Sequence, residues 1–459
     1  MAINRERTSL NVSRERAILA AVHLPSSRFD PEDPLGELRA LAQTAGANVV
    51  GELTQNRHTP ESGTYIGSGK LDELRSMADE LDASVVIFDH DLSPSQIGNI
   101  EKHIERKVVD RSELILDIFA NRATTHEAKL QVELAQLEYT YPRLRAMWSH
   151  LERIVGVGGV AGIGTRGPGE QQLEVDRRLV QQRRTRLKRE LTGIEDRKAR
   201  AVRKRKQDHV MVGLVGYTNA GKSTLFNALT AGGAYADDRV FATLMTRTRE
   251  WDVGASQSVM LSDTVGFVRD LPHHLIASFK ATLEETTHAD LLLIVLDVSD
   301  SAAEAQYQTV TEMLDALFEQ TQRVEERAGR SWTPPKRVLL LNKVDLLRDN
   351  VELLVWSNRA PGAIAISAAS PSDEAGAPGM DRLRALTRLA ATGEIRELTL
   401  SIPLADAKTI HTIENRTEVL DRAYDESSVR LRVRIGDRQL DQLRAGGARI
   451  TLVTKTESK

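Results

Sequence analysis

Gly216-Tyr217-Thr218-Asn219-Ala220-Gly221-Lys222-Ser223 lies between the apolar run Val210–Val215 and the helical pattern Thr224–Leu229. A strand, a glycine-bounded loop ending in Lys-Ser and a helix in that order form a phosphate cradle. The glycines let backbone N–H groups approach phosphate oxygens, and the helix N-terminus adds the positive end of its dipole. Lys222 is placed to bridge β- and γ-phosphates, and the Ser223 hydroxyl to ligate Mg²⁺. Thr224, which opens the helix, completes the candidate contacts.

Three later motifs stand at the ends of apolar runs. Asp263-Thr264-Val265-Gly266 follows Val259–Leu261, which puts a carboxylate within reach of Mg²⁺ and the Gly266 amide toward a γ-phosphate. Asn342-Lys343-Val344-Asp345 closes Val338–Leu341. Asp345 can accept both the ring N–H and the exocyclic amine of guanine while Lys343 lies along the base. Adenine lacks that amine, so the motif selects GTP. Ser367-Ala368 offers a backbone amide to the guanine carbonyl. Ligands bind at strand C-terminal ends in open α/β sheets, and all four motifs fall there.

Outward from this centre, residues 209–392 alternate strand and helix patterns. Strands are predicted at Val210–Val215, Arg249–Val253, Val259–Asp263, Leu291–Asp297, Arg337–Asn342 and Ala363–Ser367. The first 120 residues alternate likewise, with strands at Ala17–Leu24, Ala47–Leu53 and Ser84–Asp89 and helices at Pro34–Ala45, Leu71–Leu81 and Pro94–Ile104. Between them Leu130, Leu134, Leu137, Tyr141, Leu144, Trp148 and Leu151 form a heptad-like seam, interrupted by Pro142, where a kink or two successive helices is expected. A glycine-rich segment follows. A second helical run then carries Leu173, Val180, Leu187, Ile194 and Ala201 at seven-residue intervals. The chain therefore reads as a multidomain α/β protein. A small N-terminal α/β domain (1–122) precedes a coiled-coil-like helical hairpin arm (123–207, tip 156–169). A P-loop domain with a mainly parallel sheet (208–394) and a small C-terminal α+β domain (395–459) follow, and a monomer is expected.

Composition narrows the chemistry. With no cysteine in 459 residues, disulfides, thiolate zinc sites and thiol catalysis are excluded. The longest aliphatic run, Leu291–Leu296, is far short of a membrane span, and a cytoplasmic protein is expected. Residues 177–206 hold 14 Lys and Arg against three acids, a surplus of +11. The net charge is −3, so the other 429 residues carry −14. Such asymmetry points to a polyanionic partner or, in the plainer reading, to a solvated helix face. Arg166, Arg183, Arg184, Lys188 and Arg189 are the candidate RNA contacts.

Regulatory G proteins place a water-orienting Gln after the D-x-x-G glycine. Here Phe267 stands there and cannot hydrogen-bond water, so slow intrinsic hydrolysis is expected, accelerated by a partner. Thr243, in the loop 231–248, is the candidate second Mg²⁺ ligand and γ-phosphate sensor, with Phe241 and Ala242 beside it. Lys222, Thr243 and Gly266 form the catalytic set. Arg247, Arg249 and Arg269 read either as arginines acting in cis or as solvated or RNA-facing charges. Tyr65-Ile66-Gly67-Ser68-Gly69-Lys70 reads as a turn and helix start in preference to a second nucleotide site.

Gly162-Ile163-Gly164-Thr165-Arg166-Gly167-Pro168-Gly169-Glu170, the loop 216–224, Phe241-Ala242-Thr243-Leu244 and the segment 263–275 together resemble the HflX-type ribosome-associated GTPases of the Obg-HflX superfamily. The resemblance covers roughly residues 15–400. It implies a GTP form that binds the large ribosomal subunit, an arm directed at the peptidyl-transferase region, splitting or rescue of stalled 70S ribosomes, and hydrolysis stimulated by the ribosome. Two departures stand out: Met245-Thr246-Arg247 replaces the family's Asp-Pro-Thr, and Gln171 replaces its Thr. Asn219 resembles the asparagine of K⁺-activated GTPases; it either helps to hold K⁺ or merely stabilises the loop. Two other function classes fit the sequence less well. A GTPase of tRNA modification is opposed by the missing cysteine motif, and an ATP-driven RNA remodeller by Asn342–Asp345.

Overall fold

The computed structural model describes residues 12, 14–25, 29–30, 32–156, 178–194, 197, 200, 209–230, 240–241, 246–255, 257–270, 285–369, 379–445 and 447–453, with backbone alone for 142–156, 416, 442 and 445. The chain forms two compact units. One comprises Met1–Asp196, Asp238–Leu244 and Val268–Ala281; the other comprises Arg197–Asp237, Met245–Phe267 and Thr282–Lys459.

The first unit opens with a four-stranded parallel sheet, order β2-β1-β3-β4, from β1 (Arg16–His23), β2 (Asn48–Asn56), β3 (Val85–Phe88) and β4 (Lys107–Val109). Helices α1 (Gly36–Thr44), α2 (Ser68–Glu80) and α3 (Pro94–Ile104) connect the strands. Helix α3 starts on a reciprocal cap between Ser93 and Gln96 with Pro94 in its first turn, a position where the missing N–H costs nothing. Ile18, Val86, Phe88, Leu74 and Ile100 meet in the core. The sequence reading lacked β4 and α4 (Arg111–Arg122). The strand is only three residues long, and α4 buries a run from Arg111 to Phe119 with no amphipathic period. Asp110 caps α4 through the Glu113 amide at 2.9 Å and also accepts the Tyr139 hydroxyl at 2.5 Å.

Tyr139 lies on α5 (His126–Gly156), a single helix of 31 residues that runs through Pro142. Of the two expectations at Pro142, a kink or two successive helices, the second is not met. Proline removes the N–H that would reach the Glu138 carbonyl and its ring crowds that carbonyl, which kinks a helix as readily as it breaks one. Residues 178–194 form the second helix, α6. Leu130 and Leu134 pack against Leu187 and Leu191, with Leu137 and Ile194 alongside, so the seam holds where the hairpin is described. The tip beyond 156, including Arg166 and Gln171, lies outside the described residues.

The second unit is built on a six-stranded sheet, order β10-β9-β8-β5-β7-β6. Its strands are β5 (Met211–Gly216), β6 (Arg247–Gly254), β7 (Gln257–Asp263), β8 (Leu291–Asp297), β9 (Lys336–Asn342) and β10 (Ile364–Ala365). All pairs are parallel except β6–β7. Strand β8 is buried at every position, as a central parallel strand covered on both faces must be. Helices α7 (Lys222–Thr230), α8 (Ala303–Arg327), α9 (Val351–Arg359) and α10 (Gly379–Thr392) complete this part. The C-terminal residues form an antiparallel sheet, order β12-β13-β11-β14, from β11 (Ile395–Pro403), β12 (Glu418–Tyr424), β13 (Ser428–Gly436) and β14 (Thr451–Leu452). The alternation of β13 buries Val429, Leu431, Val433 and Ile435 and exposes Arg430, Arg432 and Arg434. Strand β12 was absent from the sequence reading because its burial is shallow and irregular.

Candidate functional site: the phosphate loop and its neighbours

Strand β5 ends on Gly216, whose φ is +156° and whose absent Cβ would fall 2.2 Å from the Val295 carbonyl oxygen. Only glycine fits there, where β5 runs against β8. The loop then passes Asn219, in left-handed backbone at φ +62° with its side chain exposed, and Gly221 at φ +92°. Helix α7 begins on Lys222, which is 6% exposed. Its Nζ donates to the carbonyls of Gly216 at 3.1 Å and Tyr217 at 2.5 Å. Burial pushes its pKa down to about 8, with the nearby Asp263 carboxylate acting in the opposite direction. The ammonium is thus folded back on its own loop.

The D-x-x-G segment lies along this loop. Ser223 Oγ donates to Asp263 Oδ2 at 2.8 Å. Thr264, fully buried, donates its hydroxyl to the Leu214 carbonyl at 2.6 Å and ties the end of β7 to β5. Val265 is buried. Beyond Gly266, the Phe267 amide donates to the Gly216 carbonyl at 3.0 Å, and the Thr218 amide to the Phe267 carbonyl at 2.8 Å. The Phe267 ring is buried.

The base-recognition motifs meet on Asn342. Its Nδ2 donates to the Ala220 carbonyl at 2.8 Å, and its Oδ1 accepts the Ala368 amide at 3.0 Å. One side chain therefore ties the phosphate loop to the Ser367-Ala368 turn. The Ala368 amide, expected from the sequence to meet a guanine carbonyl, is engaged by Asn342. Lys343, left-handed at φ +63°, pairs with Asp297 at 2.6 Å. Val344 and the exposed Asp345 sit in a 3-10 turn, Val344–Leu346. Asp297 and the bridging role of Asn342 escaped the sequence reading. The signal for Asp297 was a lone carboxylate closing the otherwise apolar strand Leu291–Leu296.

Residues 32–120 match the family model described as GTP-binding GTPase N-terminal, and 122–205 match GTP-binding GTPase Middle Region. Residues 211–343 match 50S ribosome-binding GTPase. A GTPase HflX of Caldanaerobacter subterraneus subsp. tengcongensis is 39% identical over 423 residues, covering 92% of this chain and 91% of its own. The GTPase HflX of Escherichia coli K12 is 39% identical over 425 residues, covering 92% and 93%. The chain belongs to the HflX family of GTPases. Among solved structures, a GTP-binding protein of Sulfolobus solfataricus in complex with GDP is 23% identical, covering 82% of this chain and 98% of that chain at a TM-score of 0.39.

As an HflX-family GTPase the protein binds guanine nucleotides and hydrolyses GTP, and a GTPase fold of this kind typically works with Mg²⁺. The Ser223 hydroxyl and Asp263 carboxylate, 2.8 Å apart at the end of the loop, are a pair of hard oxygen donors that suit this ion. Ala242 and Thr243 lie outside the described residues. Phe241 is described and is 2% exposed; its ring packs edge-on against Phe119, with centroids 4.5 Å apart. Among the described residues no helix is long and apolar enough to cross a membrane.

Two charge readings change. Three of the candidate RNA contacts are paired across the hairpin: Arg183 with Glu133 at 2.6 Å, Arg184 with Glu138 at 3.4 Å and Lys188 with Glu138 at 2.7 Å. Arg189 faces solvent beside Arg186, along a depression of about 320 Å³ also lined by Gln181, Gln182 and Thr185. Arg269 is neither solvated nor RNA-facing: its side chain is 14% exposed and bonds Asp89 at 2.6 Å. Arg247 and Arg249 are exposed, the latter with its guanidinium 6.0 Å from the Phe226 ring centroid. The stretch 65–70 is a turn and helix start. The Gly67 amide donates to Gln55 at 2.9 Å, and Lys70 pairs with Glu73.

Proposed function

We propose that the protein is a GTP-gated factor whose GTP form binds the large ribosomal subunit and splits or rescues stalled 70S ribosomes, the ribosome stimulating hydrolysis. The observation that carries this reading is Phe267. The residue after the D-x-x-G glycine buries an apolar ring and uses its backbone on the phosphate loop. It offers no group to orient an attacking water, so efficient turnover requires a partner. The family description for residues 211–343 supports the ribosome as that partner.

In this reading the amides of Tyr217–Thr224 cradle the phosphates, and Lys222 leaves its carbonyl ligands to bridge them. Ser223, Asp263 and Thr243 would hold Mg²⁺, which when bound would supply charge neutralisation at the transferring phosphoryl group. The Gly266 amide meets the γ-phosphate, and Asp345 and Lys343 recognise guanine. Asn219 exposes its side chain beside the loop, where it helps to hold K⁺. The hairpin presents Arg189 to ribosomal RNA, and Arg166, outside the described residues, is a second candidate contact. Arg183, Arg184 and Lys188 set the hairpin's own geometry and contribute to the RNA field less than their number suggests. The C-terminal strands β11–β14 have a sheet and core of their own within the second unit.

Light scattering of 70S ribosomes tests the reading. Substoichiometric protein with GTP should lower the scattering as subunits part, and GDP should leave it unchanged. Splitting that ignores the nucleotide, or no splitting at any protein concentration, overturns it.

A further inference from the structure

The C-terminal residues run strand, helix, strand, strand, helix, strand: β11, α11 (Ala407–Arg416), β12, β13, α12 (Asp437–Ala445) and β14. With the order β12-β13-β11-β14 this is a split β-α-β sheet. Both helices cover one face of it, where Ile413 and Leu440 pack on Leu400, Leu431 and Val433. Residues of a strand alternate between faces, so Thr399 and Ser401 of β11 and Arg430, Arg432 and Arg434 of β13 belong to the other, open face.

Residues directly opposite in an antiparallel pair share a face. Ser401 stands opposite Arg430, Thr399 opposite Arg432 and Glu397 opposite Arg434, and Thr451 of β14 stands opposite Ser401. On the other side of β13, Ala423, Asp421 and Glu418 face the same three arginines in turn. The open face therefore has two unlike ends. Acids flank Arg434 on both sides, whereas Arg430 lies between Ser401 and Ala423, and Arg432 between Thr399 and Asp421.

The three arginine side chains are 54%, 51% and 53% exposed and loosely held. Arg430 pairs with Asp425 at 3.2 Å, Arg432 with Glu397 at 3.5 Å and Arg434 with Glu418 at 3.2 Å. Exposed pairs of this kind contribute little, so phosphate oxygens can take the place of the carboxylates. Alternate residues of a strand lie about 6.8 Å apart, a stride close to that of successive phosphates along an extended nucleic-acid strand. A guanidinium with a Ser or Thr hydroxyl beside it is the usual donor set for such phosphates. Four-stranded sheets that read RNA bases carry aromatic rings on the open face of their central strands. The open positions of β11 and β13 carry no aromatic ring.

We propose that the open face of the C-terminal sheet is a second RNA-binding surface, which follows a phosphate backbone along Arg430 and Arg432 and ignores base identity. Ser401, Thr399 and Thr451 supply the accompanying hydroxyl donors. The acids around Arg434 close the surface at that end. Neither the helical arm nor the ribosome enters this site, so naked RNA is the probe.

The full chain with GDP is crosslinked to thiouridine-labelled oligouridine, and the crosslinked peptides are identified by mass spectrometry. Crosslinks should appear on β11 and β13. Arg430→Gln with Arg432→Gln should lower their yield at least fivefold and leave the yield elsewhere on the chain within twofold. Arg396→Gln with Arg422→Gln removes the same charge from positions opposite Ile435 and Leu431, on the helix-covered side, and should change neither yield by more than twofold. Glu397→Gln, which releases Arg432, should raise the β11 and β13 yield at least twofold, a result that does not depend on the double variant folding. Polyadenylate should compete as well as polyuridylate, and polyglutamate of equal charge should not. No crosslink on either strand, equal loss in the two double variants, an unchanged yield in Glu397→Gln, or polyglutamate competing as well as RNA overturns the proposal. Ribosome splitting plays no part in these readouts, so this surface and the ribosome reading fail separately.

Discussion

Replacing Asn342 with Ala should disable nucleotide binding without touching a phosphate or the base directly. Asn342 is 1% exposed, and its two bonds, to Ala220 and Ala368, run to backbone groups of different loops. Alanine cannot make either bond, and water reaches the vacated space poorly. A buried polar group left unsatisfied costs about 1–3 kcal/mol, so the pair amounts to roughly 2–6 kcal/mol. In a unit of this size 1 kcal/mol shifts the midpoint by about 2–4 °C, which gives a loss of roughly 4–24 °C. The loop that must present its amides to phosphate is the one released, so GDP and GTP affinities should fall together, at least tenfold. Fluorescent-nucleotide titration and thermal unfolding with and without Mg·GDP measure both effects. Asn342→Asp keeps the acceptor for Ala368 but turns a carboxylate toward the Ala220 carbonyl, and should be no better than Ala. Wild-type nucleotide affinity with an unchanged midpoint in Asn342→Ala would refute the reasoning.

Other consequences concern the same loop and the arm. Lys222 has a pKa of about 8 in the nucleotide-free protein, and bound phosphate must raise it. Nucleotide affinity should therefore be nearly flat from pH 7 to 8 and fall by up to about tenfold per unit above it, with proton uptake visible by calorimetry in two buffers. Gly266→Ala places its methyl within 2.9 Å of Lys222 Nζ, so basal hydrolysis should drop at least tenfold while GDP affinity stays within threefold. Leu187→Ala removes the 1%-exposed side chain at the centre of the hairpin seam. It should destabilise the hairpin by about 2–5 kcal/mol, measured as faster amide exchange in α5 and α6, with nucleotide affinity unchanged.

The parts of the molecule that were legible in the sequence are those coded by local pattern. The loop from Gly216 to Ser223, the buried run of β8 and the Asn342–Asp345 turn each announce themselves within ten residues, because backbone geometry and burial at a parallel strand's end allow few residue types. What was missed depends on contacts remote in sequence. Arg269 reads as a surface charge until Asp89, 180 residues earlier, is brought beside it. The arginines of α6 read as a nucleic-acid face until Glu133 and Glu138 of α5 are seen to neutralise part of it. Phe241 reads as part of the nucleotide loop, yet its ring is buried against Phe119. Pro142 shows a local rule that leaves alternatives: a proline worth about 3 kcal/mol allowed a kink or a break, and the helix is not broken.

The central claim is that the nucleotide held around Lys222 decides whether the protein engages ribosomes. Sedimentation with purified large subunits through a sucrose cushion, with a non-hydrolysable GTP analogue or with GDP, tests it most directly. The account expects at least tenfold more protein in the pellet with the analogue. Equal amounts with both nucleotides would contradict it.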